Sequence, residues 1–208
     1  MADIFDEIDE EMKRDRAQVL WAKYGKYVMS AAAAVVLVVG AAQGYNAWSK
    51  SQVETAAETY QAALDADDVG AALEASLSGL TDGYAMLAKF RIAAAHAANG
   101  DKLAAEQAYL ALSSDSAVAP LYQQAALLLS VMNAGDGANI DDLQGRLESL
   151  TSAAGAWQAL ALELSAGLDL QKGDRAAAKA KIDQLLALQE IPNDLRQRAQ
   201  RLSLVLEG

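Results

Sequence analysis

Few residues of this 208-residue chain have the chemistry to act alone. His96 is the single histidine and there is no cysteine, which excludes paired imidazoles, thiolate metal sites, disulfides and a cysteine nucleophile. His96 stands in an alanine-rich stretch, Ala93-Ala94-Ala95-His96-Ala97-Ala98, with no partner in sight, and reads as a structural histidine. Asp65-Ala66-Asp67-Asp68-Val69-Gly70 begins like a calcium loop. However, Val69 at its fifth position and Ser76 at its twelfth lack the side-chain oxygens such a loop needs. Those acids are better explained as the end of one helix and the cap of the next. Ser113-Ser114 has no neighbouring base, and no glycine-rich phosphate loop is present. The expectation is a protein that is not an enzyme and holds no metal or cofactor.

What remains is architecture. Alanine occurs 47 times, proline twice, and aromatics make up 6% of the chain, a composition that favours helix over sheet. The net charge of −11 argues against a nucleic-acid partner, which needs a basic footprint. No small-molecule substrate is indicated. The fold class expected is all-α.

Between Lys26 and Lys50 the chain carries no charge for 23 residues, Tyr27 to Ser49. As helix that is about 34 Å, enough to cross about 30 Å of hydrocarbon. Trp21, Tyr24 and Tyr27 mark one end and Tyr45 and Trp48 the other, where interfacial aromatics belong. A buried helix of a soluble protein and a cleaved signal peptide are the rival readings. Seven acids in the preceding segment oppose a cleaved leader. The domains expected are therefore an arm at 1–26, a transmembrane helix at 27–49 and a larger domain at 50–208. Lys13, Arg14, Arg16, Lys23 and Lys26 precede the span. After Lys50 no lysine or arginine follows until Lys89. By the positive-inside rule the arm is cytoplasmic and residues 50–208 lie across the membrane, which in a bacterium is the periplasm.

In the arm, Ile4, Phe5, Ile8 and Met12 share one helical face, suited to docking on a membrane protein or simply to setting topology. In the span, Gly40 and Gly44 form a GxxxG pattern, a candidate helix–helix contact. Chance in an alanine-rich segment is the alternative.

Beyond the span, periodicity predicts helices near 51–65, 69–78, 83–98, 102–112, 117–133, 140–150, 156–171, 175–189 and 193–206. The connecting turns repeat: Asn99-Gly100-Asp101, Ala134-Gly135-Asp136 and Lys172-Gly173-Asp174. A glycine ends one helix and an aspartate opens the next. Spacings of 35 and 38 residues between these glycines approach the tetratricopeptide period of about 34. Small residues fall where helices of such a pair would touch, at Ala93, Ala105, Ala166 and Ala178. Larger apolar ones follow at Tyr109, Leu112, Ile182 and Leu185. The middle unit departs, with Leu128 and Ile140 at the small positions, and the first pair lacks the Gly-Asp signature. The expectation is a tetratricopeptide-like solenoid whose first helices line a groove. The groove candidates are Leu87, Phe90, Tyr122, Leu129, Met132, Glu163 and Leu170. Plain helix packing is the favoured explanation of each. The last helix, with Arg196, Arg198 and Arg201, reads as a solvated cap.

Asp3-Ile4-Phe5, Glu10-Glu11, Arg14-Asp15, Leu20-Trp21 and Tyr24-Gly25, then one span and alanine-rich helical repeats, together resemble the YfgM-type proteins. These are ancillary subunits of the SecYEG translocon in Gram-negative bacteria. The resemblance is carried by residues 3–25 and, more weakly, by the architecture beyond. It implies a single-pass inner-membrane protein with a periplasmic tetratricopeptide-like domain. Its implied partners are the SecYEG translocon and a membrane-anchored periplasmic chaperone, and its implied role is helping exported proteins reach periplasmic chaperones. The family offers no catalytic residues to carry over. A tetratricopeptide-like adaptor for envelope assembly or cell division is the other function considered.

Overall fold

The computed structural model describes the backbone of residues 3–207, and side chains for residues 18–27 and 29–207. The apolar face of the arm at Ile4, Phe5, Ile8 and Met12 lies outside the described side chains. The described residues are predominantly helical, with no strand among them. Two compact units divide the chain, Met1–Glu54 and Thr55–Gly208.

Helix α1 runs from Asp3 to Leu64 without interruption. No proline falls within it, and Gly25, Gly40 and Gly44 each stay helical. No element boundary therefore falls at 26 or 49, and the helix expected near 51–65 is the last part of α1. Within Gln18–Leu64 lies a stretch long and apolar enough to span a membrane. In the first unit, Val35, Val36, Leu37, Val38 and Val39 are all exposed, Leu37 at 73%. Tyr45 and Trp48 stack obliquely at 6.0 Å between ring centroids.

Among the described residues, the second unit contains the end of α1, a short 3-10 helix at Leu77–Gly79 and eight further α-helices: α2 (Val69–Ser76), α3 (Asp82–Ala98), α4 (Lys102–Ser114), α5 (Pro120–Met132), α6 (Ile140–Ser152), α7 (Gln158–Lys172), α8 (Arg175–Ala187) and α9 (Asn193–Glu207). Each packs chiefly on its neighbours in the chain. The acids after α1 do what was expected of them. Asp65 closes the helix, its N–H donating to the Gln61 carbonyl, and Asp68 caps α2 by accepting from the Ala71 N–H at 3.0 Å.

The core is a chain of four apolar clusters. Ala63, Leu73, Ala88 and Ile92 join α1, α2 and α3. Ala93, Tyr109, Leu112, Val118 and Ala126 join α3, α4 and α5. Leu128, Val131, Leu143, Leu147, Leu150, Ala161 and Leu168 join α5, α6 and α7. The last cluster joins α7, α8 and α9 through Leu162, Ala166, Ala178, Ile182, Leu185 and Leu195. A helix presenting only methyl groups lets its neighbour approach closely, so Ala93, Ala105, Ala166 and Ala178 have no accessible surface left.

Two turns are near copies. Gly100 and Gly173 both take φ +80°, a left-handed conformation that costs glycine nothing and other residues about 1–2 kcal/mol. After each, an aspartate N–H reaches back to the last turn, from Asp101 to the His96 carbonyl and from Asp174 to the Asp169 carbonyl, at 2.9 Å in both. These are Schellman ends. Asp101 and Asp174 then cap α4 and α8 through the N–H groups of Ala104 and Ala177. Gly135 does not share the positive φ. The turn there is longer, and Asn139 caps α6 by accepting from the Asp141 N–H at 2.9 Å.

Candidate functional site

Side chains of α5, α7 and α9 meet around one hollow of the second unit. The ring N–H of Trp157, just before α7, donates to the Leu121 carbonyl of α5 at 2.9 Å. Arg198 of α9 donates to Glu163 of α7 through a two-pronged fork, Nε to Oε1 at 2.8 Å and Nη2 to Oε2 at 3.0 Å. Its remaining nitrogen Nη1 reaches Asp194 at 3.2 Å. The fork with Glu163, more than Asp194, raises the guanidinium pKa further above its ordinary value. Arg198 is thus a cation held between two acids, with three of its five N–H donors engaged.

Two hollows meet at this fork. One, of about 380 Å³, is floored by Leu128, Leu160, Leu164 and Leu168, with Met132, Glu163 and Arg198 at its edge. The other, of about 590 Å³, runs between the α6–α7 connection and the α8–α9 connection and carries Glu190 and Asp194. Leu160 and Arg198 line both.

Of the groove candidates, Met132 and Glu163 line the first hollow. Leu87 and Tyr122 are exposed on α3 and α5. Phe90 and Leu129 are half-buried against the Tyr109 cluster, with Phe90 and Tyr109 ring centroids 6.1 Å apart. Leu170 packs against the cluster of α7, α8 and α9. A Cβ at Gly40 or Gly44 would meet no atom within 4 Å, so both glycines sit on open faces of α1. The sequence reading missed Arg198 as a groove residue, and also Leu160, Leu164 and Gly167. The last three recur at helical spacing along one face of α7, a signal visible in the sequence. Arg198 gave no such signal, because its partner is 35 residues away.

Ion pairs also link elements away from this fork, both consecutive and alternate ones. Arg146 of α6 donates to Glu106 of α4 at 2.7 Å, Lys102 meets Asp136 at 2.5 Å, and Lys172 meets Asp141 at 2.5 Å. Asp169, buried in α7, accepts from Gln144 and faces the Lys181 ammonium at 2.6 Å. His96 is partly exposed, its Nε2 4.0 Å from a carboxylate oxygen of Glu74. Among the described residues no group of three or more acids and histidines is placed to hold a metal ion.

No protein-family model, curated protein or solved structure matches the chain.

Proposed function

We propose that the protein is a membrane-anchored, non-enzymatic scaffold or co-chaperone at the Sec protein-export channel. In this reading α1 crosses the inner membrane once, the arm is cytoplasmic, and residues 50–208 form a periplasmic tetratricopeptide-like domain that passes exported polypeptides to periplasmic chaperones. The observation that carries the reading is the exposed run Val35 to Val39 on α1, flanked by Tyr27 and by Tyr45 and Trp48. An exposed apolar run of that length is a surface that lipid would cover.

Three further observations support the parts. The lysines and arginines gather before the span, as the positive-inside rule requires of a cytoplasmic arm. The matched Schellman turns and the buried alanines fit a tetratricopeptide-like register. The resemblance of residues 3–25 to YfgM-type proteins supplies the translocon and the membrane-anchored chaperone as partners. The mechanism is avidity: the anchor holds the domain at the channel, where weak contacts act at an effective concentration of about millimolar.

The test is co-purification. Full-length protein extracted in mild detergent brings the translocon with it, and a photoreactive residue at Tyr45 or Trp48 crosslinks to channel subunits. Deletion of residues 1–49 abolishes the co-purification. Translocon capture by residues 50–208 alone overturns the avidity mechanism, and crosslinks to wall-synthesis proteins in place of the channel overturn the export reading.

A further inference from the structure

We propose that the two joined hollows on α5, α7 and α9 are a docking groove for an unfolded polypeptide segment that places apolar side chains next to lysine or arginine. The inference rests on the export reading and names the class of segment that the domain takes.

The apolar half follows from the first hollow. Its floor is four leucines, its volume is about 380 Å³, and Met132 stands 61% exposed at its lip. That lies within the range of pockets that bind ligands, about 300–1,000 Å³. A methionine at the lip adapts to side chains of different shape, which suits a surface that meets many sequences.

The charged half follows from the balance of groups that line the hollows. Glu163, Glu190 and Asp194 are acids, and Arg198 is the cation among the lining residues. Arg198 already faces two of these acids, donating three of its five N–H groups to Glu163 and Asp194. The next arginine along α9, Arg201, lines neither hollow. Two negative charges are left over, concentrated at the end formed by Glu190 and Asp194. A carboxylate entering there meets a net negative lining, whereas an ammonium or guanidinium meets two acids. The acidic surplus of residues 50–208 adds a field of the same sign. Leu160 and Arg198 belong to both hollows, so a segment with a large apolar residue in the first hollow has its next residues at the acidic end.

The experiment uses full-length protein in detergent micelles and three fluorescently labelled dodecapeptides, alternating Leu-Lys, Leu-Glu and Ser-Lys, read by anisotropy. The Leu-Lys peptide binds tightest, and the other two are weaker by at least about tenfold, or about 1.4 kcal/mol. Charge alone is separated from the groove by two double variants that change the net charge equally. Glu190→Lys with Asp194→Lys weakens Leu-Lys binding at least about tenfold, while Glu58→Lys with Glu148→Lys, both on exposed positions elsewhere, changes it by less than about threefold. Met132→Asp, at a site 61% exposed, weakens it as well while leaving the thermal melt at the parent value. Equal loss from the two double variants, Leu-Glu binding as tight as Leu-Lys, or self-association of the protein through Met132 overturns the proposal. Loss of peptide binding in a variant that still co-purifies the translocon leaves the export reading intact. Peptide binding by a protein that never captures the translocon separates the groove from that reading.

Discussion

Arg146 on α6 and Glu106 on α4 meet at 2.7 Å across 40 residues of chain, with the Glu106 side chain 12% exposed and that of Arg146 27%. The pair fastens two helices that are not neighbours in sequence, which apolar clusters between consecutive helices do not do by themselves. Glu106→Ala leaves the guanidinium half-desolvated without its acceptor and costs about 2 kcal/mol. The double variant Glu106→Leu, Arg146→Met removes both charges together and is close to neutral. Denaturant melts of the full-length protein in micelles check both, and a double variant as unstable as the single one overturns the account.

Ile182 is fully buried among α7, α8 and α9. Ile182→Ala leaves a cavity beside Ala178 and Ala166, whose methyl groups are too short to fill it, and lowers stability by about 3 kcal/mol. Leu37→Ala on the exposed run of α1 leaves the same melt unchanged, because it removes no contact within the second unit.

Gly173 and Gly135 look alike in sequence and differ in backbone. Gly173→Ala forces a Cβ into φ +80° and costs about 1–2 kcal/mol, although the site is spatially open. Gly135→Ala stays within about 0.5 kcal/mol of the parent. Thermal melts of the two variants side by side distinguish them, and equal effects would mean that turn geometry is not the cause.

The hydrogen bond from Lys89, aided by the Ala117 N–H, holds the Asp115 carboxyl below its ordinary value of 3.8. A folded-state value below the unfolded one means that the stabilisation is complete above the ordinary value and fades as pH falls through the folded one. Asp115→Asn therefore melts below the parent at neutral pH. The gap begins to close under the ordinary carboxylate range and is gone once Asp115 is protonated in both states. A gap that stays constant down to strong acid removes Asp115 ionisation as its origin.

If α1 crosses a bilayer, the protein stays in the membrane pellet after alkaline carbonate extraction. Val36→Asp with Val38→Asp places two carboxylates at the middle of the apolar run, at about 2.5–3.5 kcal/mol each, and shifts protein to the supernatant. Parent protein released without detergent rules out the anchor.

Much of the fold was legible because its causes are local. Three- and four-residue periodicity placed the helices, and Gly100-Asp101 and Gly173-Asp174 placed two of the turns. The alanine positions 93, 105, 166 and 178 marked where helices touch. Each of these signals depends on residues within one or two turns of helix, so the sequence determined them unaided. The boundary expected at 49 was not there, because no breaker stands near Ser49 and the helix expected from about 51 is continuous with the span, α1 running to Leu64.

The tertiary structure decided what joins distant segments. Gly135 carries the same letter as Gly100 and Gly173, yet the longer turn relieves it of the left-handed φ. Phe90, Leu129 and Leu170 share the apolar character of the groove candidates, but packing turned them to the core clusters. The fork between Glu163 and Arg198 has no signature at all, since a carboxylate and a guanidinium attract at any separation in sequence. Only the placement of α9 against α7 brings these two within 3 Å, and with that placement come the two hollows that Leu160 and Arg198 share.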